Sequence, residues 1–507
     1  MDRALDILKQ YYGYSSFREG QENIIREILN GNDVLTIMPT GGGKSICYQV
    51  PAMLLDGITI VTSPLISLMK DQVDNINNLG IKSAYINSSL NNIEINNILD
   101  EAAKNEIKIL YVAPERLESH VFLELIASIN VSMVAVDEAH CVSQWGHDFR
   151  SSYRRISRVV SLLRNRPIVA AFTATATAEV RDDIIKLLEL NNPKIFISGF
   201  DRKNLKIIIE KGVNKKNYIL DYINSNKDES GIIYCSTRKE VDSLYDLLIS
   251  KGLEVEKYHA GLNDEYRKEA QESFIYDKVN IIIATNAFGM GIDKPNVRYV
   301  IHYNMPKNIE GYYQEIGRAG RDGEDSECIM LFSPGDVQTQ KYIIETATEN
   351  TVRKENELEK LQTMINLVYT QDCYRKYILN YFGEQYDERC NNCSNCEAPG
   401  ELVDKSVDAQ KVISCVYRMG QRFGIGMVVD VLRGSKNKKV YELGFDELST
   451  YGIVKNYTKD ALTEFINMLI SHGYLNYKGE YPVLKLNQLS MDIVKGEKQV
   501  FVKEQVV

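Results

Sequence analysis

No apolar run in the 507 residues approaches the roughly 18 or more that a membrane span needs, so no membrane association is expected. The N-terminus, Met1-Asp-Arg-Ala-Leu-Asp, brings in acid at once and lacks the apolar stretch of a secretion signal; a cytoplasmic location is the expectation. A disulfide framework is excluded as well. Nine cysteines do not pair evenly, Cys47, Cys141, Cys235, Cys328 and Cys415 are scattered, and the other four cluster as they would in a reducing compartment. Excess positive charge is missing: the net charge is −9, so any nucleic-acid binding must come from local basic surface. There is one tryptophan, no low-complexity tract and no close internal repeat. What remains, 44% hydrophobic and 25% charged residues, is ordinary globular composition, and the length suggests about three or four domains.

From Asp33 to about Pro193, short β-rich runs alternate with amphipathic helical ones: Asp33–Met38, Ile58–Thr62, Ile107–Val112, Met133–Val136 and Ile168–Phe172. The pattern restarts after Asn204 with Gly231–Cys235, Glu254–His259, Val279–Ala284 and Tyr299–His302. Two α/β lobes with parallel sheets are therefore expected, each with its site at the carboxyl ends of the strands. A helical stretch over about Val337–Phe382 follows, then the cysteine cluster. In the last hundred residues Leu462, Phe465, Ile466 and Leu469 fall on one helix face, capped by Thr458 and stopped by Gly473. Tyr474–Tyr477, a Lys478-Gly479 turn and Val483–Leu486 read as a hairpin, and helices before a hairpin suggest a winged helix. The tail after Gln488 carries no clear pattern. The expected domains are 1–200, 201–336, 337–400 and 401–490, with 491–507 as a tail.

Thr40-Gly-Gly-Gly-Lys-Ser45 follows a strand-like run. Gly41, Gly42 and Gly43 let backbone N–H groups converge on phosphate oxygens over a helix N-terminus. Lys44 would reach the β/γ phosphates and the Ser45 hydroxyl would sit on Mg²⁺. The first glycine of the usual pattern is replaced by Met38. Asp137-Glu-Ala-His140 ends another strand, placing Asp137 as second metal ligand and Glu138 to polarise water. Roughly 270 residues beyond Thr40, Gln314-Glu-Ile-Gly-Arg-Ala-Gly-Arg321 sets Arg318 and Arg321 on one face of a helix turn. Arginine fingers of this kind are worth about 10³–10⁵ in rate. Such a site is complete only when two lobes close on each other, which converts hydrolysis into domain motion.

Cys373-x₁₆-Cys390-x₂-Cys393-x₂-Cys396 supplies four thiolates in a short region, a set that suits tetrahedral Zn²⁺. An iron–sulfur cluster is the rival, although no fourth cysteine follows Cys396 as a ferredoxin-type run would require. Arg418, Arg422, Arg433, Lys436, Lys438 and Lys439 face Asp430 alone, a basic tract whose plain alternative is a solvated face.

With these motifs in hand the chain resembles a superfamily-two helicase, specifically the RecQ family of DNA helicases, from about residue 5 to 487. Tyr11–Gln21, with Phe17, Arg18 and Gln21, is similar to the segment whose glutamine reads adenine. Ser143-Gln-Trp145-Gly-His147-Asp148-Phe149-Arg150 is similar to the family's aromatic-rich loop, implied to sense single-stranded DNA and couple it to hydrolysis. Trp145 and Phe149 offer stacking faces, Arg150 phosphate charge, and His147 lies between them. Thr62-Ser-Pro-Leu65 and Ala113-Pro-Glu-Arg116 resemble backbone-tracking loops, and Thr173-Ala-Thr175 the link from hydrolysis to lobe movement. Tyr234-Cys-Ser-Thr237-Arg238 and Ala284-Thr285-x-x-Phe288-Gly-Met-Gly291-Ile-Asp293 resemble second-lobe DNA and nucleotide loops.

The resemblance implies ATP, Mg²⁺ and Zn²⁺ as cofactors and 3′-to-5′ unwinding coupled to ATP hydrolysis, in DNA repair or recombination. It implies single-stranded and duplex DNA as partners, with single-strand-binding protein and other repair proteins as candidates. Zinc would brace the winged helix, Arg422, Arg433 and Lys436 would hold duplex, and Tyr477 and Tyr481 are candidate unwinding-pin aromatics. A short form without the further C-terminal helical (HRDC) domain of many members is expected. Ser151 and Lys203 stand where members usually have proline, which raises local flexibility. An RNA helicase and a catalytically silent DNA-binding scaffold are the alternatives.

Overall fold

The computed structural model describes residues 1–504 except 65, 88–89, 290–293 and 479–481. Seven strands, Val34–Ile37 (β1), Ile58–Thr62 (β2), Ser83–Ile86 (β3), Ile109–Val112 (β4), Val131–Val136 (β5), Ile168–Thr173 (β6) and Lys194–Ile197 (β7), form one sheet. All its pairings are parallel and its order is β3-β4-β2-β5-β6-β1-β7. The central strands β1, β2 and β4 are buried along their whole length, as a sheet covered by helices on both faces requires. Because β5, β6 and β1 are neighbours, the loops after Val136, Thr173 and Ile37 open onto one edge. That adjacency builds the site.

The second lobe repeats the plan. Leu205–Lys211 (β8), Ser230–Tyr234 (β9), Val255–Tyr258 (β10), Ile281–Ala284 (β11), Val297–His302 (β12) and Ser326–Phe332 (β13) lie in the order β10-β11-β9-β12-β13-β8, again parallel. The α/β expectation with two parallel sheets is met. The strands singled out from sequence are present, and β3, β7, β8 and β13 add to them. Of these β3, β7 and β8 are edge strands, where burial on one side weakens the apolar signal.

Helices Pro334–Ala347, Thr351–Tyr369 and Tyr374–Tyr381 fill the helical stretch. The last part has its own core, in which Leu462, Phe465, Ile466 and Leu469 of the helix Lys459–Ser471 all take part. Thr458 Oγ1 accepts from Ala461 N at 3.1 Å, and Gly473 adopts φ +73°, so cap and stop are as expected. Residues Glu401–Asp404 (β14) open this part, and Asn476–Lys478 (β15) with Val483–Lys485 (β16) make the hairpin. Gly479, named for its turn, and Tyr481, named as a candidate pin aromatic, lie outside the described residues, as do Leu65, Gly291 and Asp293. The tail is structured: Gln488–Lys495 is helical, and Phe501–Glu504 (β17) pairs antiparallel with β14.

Candidate nucleotide and nucleic-acid site

The loop after β1 turns into the helix Lys44–Leu54 with almost no free space. Gly43 has φ +79°, and a Cβ there would stand 2.4 Å from Gln21 Nε2; one on Gly42 would stand 2.5 Å from Met38 Cγ. Met38 itself is buried, so its side chain fills the volume beneath the loop. Lys44 Nζ rests on Met38 O at 3.2 Å, within the arc where phosphates would lie. Gln21 is 1% exposed; its Oε1 accepts from Arg18 N at 2.9 Å, and its Nε2 donates to Gly42 O and Gly43 O at 3.3 and 3.2 Å. Arg18 also donates to Gly41 O at 2.6 Å, and Phe17 packs in the small core beside this helix. The segment expected to read the base is therefore wired to the phosphate loop.

Asp137 extends the β5 ladder, its N–H donating to Thr62 O at 2.9 Å. Burial and the neighbouring Glu138 push its carboxyl up to about 7, against the pull of Lys44. Glu138 is raised too, chiefly by burial, with Lys44 and Arg318 opposing. Its backbone takes φ +49°, which turns the side chain toward His140, whose Nδ1 lies 3.3 Å from Glu138 Oε2 and 2.9 Å from Thr173 Oγ1. Thr173 Oγ1 donates to Thr175 O at 3.1 Å, and Gln314 Nε2 from the other lobe donates to Thr175 Oγ1 at 3.3 Å. A polar chain thus runs from the acidic box across the cleft. Burial holds the His140 imidazole down to about 3, so it is neutral here. His140 also stacks on His147 of the aromatic loop, centroids 4.2 Å apart.

The helix Ile309–Ile316 ends one residue before Gly317, so Arg318 and Arg321 lie on the turn that follows rather than on a helix face. Gly320 (φ +56°) turns the chain where a Cβ would stand 2.4 Å from Asn204 Nδ2. The turn meets the phosphate loop: a Cβ on Gly41 would lie 3.5 Å from Arg321 Cγ, and one on Gly317 3.6 Å from Thr40 Cβ. Arg318 is 7% exposed and donates to Gly289 O, lining a cavity of about 280 Å³ between the two lobes with His147, Asp148, Asn304 and Gln314. One residue that no local pattern marks completes the junction. Arg202 donates to Thr40 O (3.2 Å) in the first lobe and to Gly317 O (3.4 Å), Ala319 O (3.0 Å) and Gly320 O (2.7 Å) in the second.

The aromatic loop is half-buried. Trp145 packs on the main core, and Lys360 of the helix Thr351–Tyr369 donates to its carbonyl. Phe149 lies under the guanidinium groups of Arg154 and Arg353, at 5.1 and 5.6 Å. Arg150 donates to Pro64 O (2.8 Å) and pairs with Asp148 (3.3 Å). The Thr237 hydroxyl caps the helix Arg238–Ser250, accepting from Glu240 N at 3.2 Å, a role the sequence reading missed; Arg238 opens that helix. Arg422, Arg433 and Lys436 are exposed, Arg433 donating to Tyr457 O at 3.1 Å. Ser151 begins a short 3₁₀ turn, and Lys203 O accepts from Asn392 Nδ2 at 3.0 Å, so both proline-less segments are hydrogen-bonded.

The sulfurs of Cys373, Cys390, Cys393 and Cys396 lie within 4.8 Å of one another, with Cys373–Cys393 at 4.0 Å and Cys390–Cys396 at 3.9 Å. Four thiolates about 2.3 Å from one Zn²⁺ sit about 3.8 Å apart, so the set fits a single zinc ion. The zinc loop also runs along the edge of the second sheet: Ile207 N donates to Asn392 O (3.3 Å) and Ile209 N to Ser394 Oγ (3.2 Å) on β8.

Two parallel-sheet lobes that meet across a phosphate loop and an arginine turn define the motor core of superfamily-two helicases. The same fold is seen in the DUF1998 helicase MrfA bound to DNA, with a TM-score of 0.57 at 18% identity over 80% of this chain and 65% of that one. Family models match in sequence along the chain: DEAD/DEAH box helicase over 18–184, helicase conserved C-terminal domain over 214–323, RecQ zinc-binding over 334–397 and RQC domain over 399–507. The chain is 47% identical to the ATP-dependent DNA helicase RecQ of Bacillus subtilis, covering 99% of this chain and 85% of the relative. It is 42% identical to the protein of that name from Pasteurella multocida, over 97% and 78%. The chain belongs to the RecQ family of helicases.

Proposed function

We propose that this RecQ-family protein is an ATP-driven DNA helicase that travels 3′ to 5′ on one strand and displaces the other, in the cytoplasm, in DNA repair or recombination. The observation that carries the motor is the junction at Thr40: Arg202, Gly317 and Arg321 of one side lie on the phosphate loop of the other. Lys44 would neutralise the β/γ phosphates, and Arg318 and Arg321 would neutralise the charge that develops on transfer. The Ser45 hydroxyl and the Asp137 carboxylate are a hard oxygen pair suited to Mg²⁺, and a buried acid held up to about 7 gains most from a cation beside it. That ion supplies charge neutralisation on the phosphates. Glu138 would orient the attacking water, with the neutral His140 ring 3.3 Å from its carboxylate. Reading adenine would require the Gln21 amide to trade one of its loop carbonyls for the base.

DNA would be sensed by Trp145, Phe149 and Arg150 and reported to Glu138 through the His147–His140 stack. The exposed Arg422, Arg433 and Lys436 would hold duplex, and Tyr477 is left as the candidate pin among the described residues. Strand displacement on 3′-tailed, 5′-tailed and blunt DNA duplexes and on a tailed RNA duplex tests the reading. ATP-dependent release of the 3′-tailed DNA is expected. Release without ATP, or of the RNA alone, would refute it.

A further inference from the structure

We propose that Lys360 and Arg353 are positioning residues that hold the aromatic loop docked while no DNA is bound. The proposal rests on that loop being the DNA sensor. Both side chains belong to the helix Thr351–Tyr369 of the zinc-binding region, remote in sequence from either motif they touch. Two ion pairs one turn apart fasten this helix to the second lobe: Lys307–Glu357 at 2.6 Å and Glu310–Lys360 at 3.2 Å. Glu310 opens the helix that carries Gln314 and leads to Arg318.

From that anchored position the helix reaches across to the first lobe. Lys360, its side chain only 11% exposed, gives a hydrogen to Trp145 O. Arg353 covers one approach to the Phe149 ring, with Arg154 over it as well. The loop's backbone at Trp145 is thus bound by an ammonium, and its Phe149 ring by guanidinium groups.

Single-stranded DNA offers the same two chemistries in reverse: phosphates for the cations and bases for the ring. A strand that stacks on Phe149 must displace a guanidinium, and that guanidinium is then free for phosphate. Docking and DNA binding therefore compete, and the docked loop is the state selected when DNA is absent. Because Lys360 bridges Trp145 O and Glu310, one side chain ties the loop to the start of the helix that leads into the arginine turn. The same contact that restrains the sensor restrains the lobe carrying Arg318.

The test uses the full chain and its single tryptophan, Trp145, whose emission reports the loop. ATP turnover and emission are followed without DNA and through a titration with oligo(dT), for wild type, Lys360→Ala, Arg353→Ala, Arg353→Lys and Trp145→Ala. Lys360→Ala is expected to raise DNA-free turnover about tenfold, equivalent to about 1.4 kcal/mol. It should also move DNA-free emission toward that of the DNA-bound wild type. Arg353→Ala, at a half-buried position, should act in the same direction at about threefold, the size of a cation–π contact at a partly exposed site. Arg353→Lys, which keeps a cation over the ring, should stay near wild type. Unchanged DNA-free turnover and emission in both alanine variants would overturn the proposal. So would lost stimulation without a rise in DNA-free turnover, which would make the contact a transmitter instead of a restraint. If Trp145→Ala is still fully stimulated by DNA, the sensor reading itself fails. If Trp145→Ala is unresponsive while the Lys360 and Arg353 variants match wild type, only the holding role fails.

Discussion

Arg202→Ala should cripple turnover while sparing nucleotide binding. The Arg202 guanidinium spans Thr40 O, Gly317 O, Ala319 O and Gly320 O, and the last two are its shortest contacts, 3.0 and 2.7 Å. A hydrogen bond from a charged donor contributes about 1.5–3 kcal/mol. At the low end, those two alone amount to about 3 kcal/mol of preference for the placed turn, or about a 100-fold change in its population. Arginine fingers supply about 10³–10⁵ in rate, so a turn that is placed one time in a hundred forfeits much of that gain. DNA-stimulated kcat is therefore expected to fall about 100-fold. The phosphate loop, held by Gln21 and Arg18, should keep its affinity for a non-hydrolysable ATP analogue within a few-fold. Arg202→Lys should recover little, since an ammonium cannot bridge carbonyls spread across both lobes. Steady-state ATPase at saturating DNA, paired with analogue titration, measures both quantities. A kcat within threefold of wild type, or a parallel loss of analogue affinity, would refute the reasoning.

Glu138→Gln should retain ATP binding and lose hydrolysis, because an amide cannot take the water's proton; residual turnover above about 1% would remove Glu138 from that role. Chelating zinc should loosen β8 as well as the cysteine loop, since Asn392 and Ser394 cover its Ile207 and Ile209 amides; hydrogen exchange confined to residues 370–400 would contradict this. The contribution of His140 and His147 to stability should fall below about pH 6.5, opposed in the same range by the raised carboxyls of Asp137 and Glu138. His140 and His147 are both held down to about 3 by burial, so the unfolded chain binds protons at them that the folded one refuses between about 6.5 and 3, and their contribution rises with pH through that window. Melting curves at pH 8 and pH 5 check it, and a His140→Asn variant with an undiminished pH slope would sink it.

The chemistry-bearing parts were legible because each is local. Three glycines before Lys44, an Asp-Glu pair ending a strand and cysteines two residues apart need no distant partner to be recognised. The helix Lys459–Ser471 was legible to its cap and stop for the same reason. What escaped depends on residues brought together by the fold. Nothing in Phe200-Asp-Arg-Lys-Asn-Leu205 says that Arg202 will find four carbonyls in two lobes. Nothing near Glu401 announces that its strand waits for Phe501–Glu504. Thr237 adds a role of its own: a motif resemblance points to DNA, and the fold also gives the hydroxyl work as a helix cap. The three-residue spacing of Arg318 and Arg321 reads as helix, but the helix stops at Ile316 and Gly320, at φ +56°, turns the chain.

The polar chain Glu138–His140–Thr173–Thr175–Gln314 and the His140–His147 stack meet at one imidazole, which has consequences beyond rate. His140 touches the acidic box on one side and the aromatic loop on the other, so the two cannot move independently of it. If DNA at the loop changes the affinity for a nucleotide at Lys44, the nucleotide must change the affinity for DNA by the same factor. A coupling of about 1.4 kcal/mol would appear as a tenfold shift in each direction. Measured DNA affinity with and without a non-hydrolysable ATP analogue should therefore match, factor for factor, the analogue's affinity with and without DNA. His140→Ala should pull both factors toward one while leaving each ligand's separate affinity within a few-fold. Equal factors that survive His140→Ala would place the coupling elsewhere, most directly in the Arg202 junction, where the two lobes touch without passing through the loop.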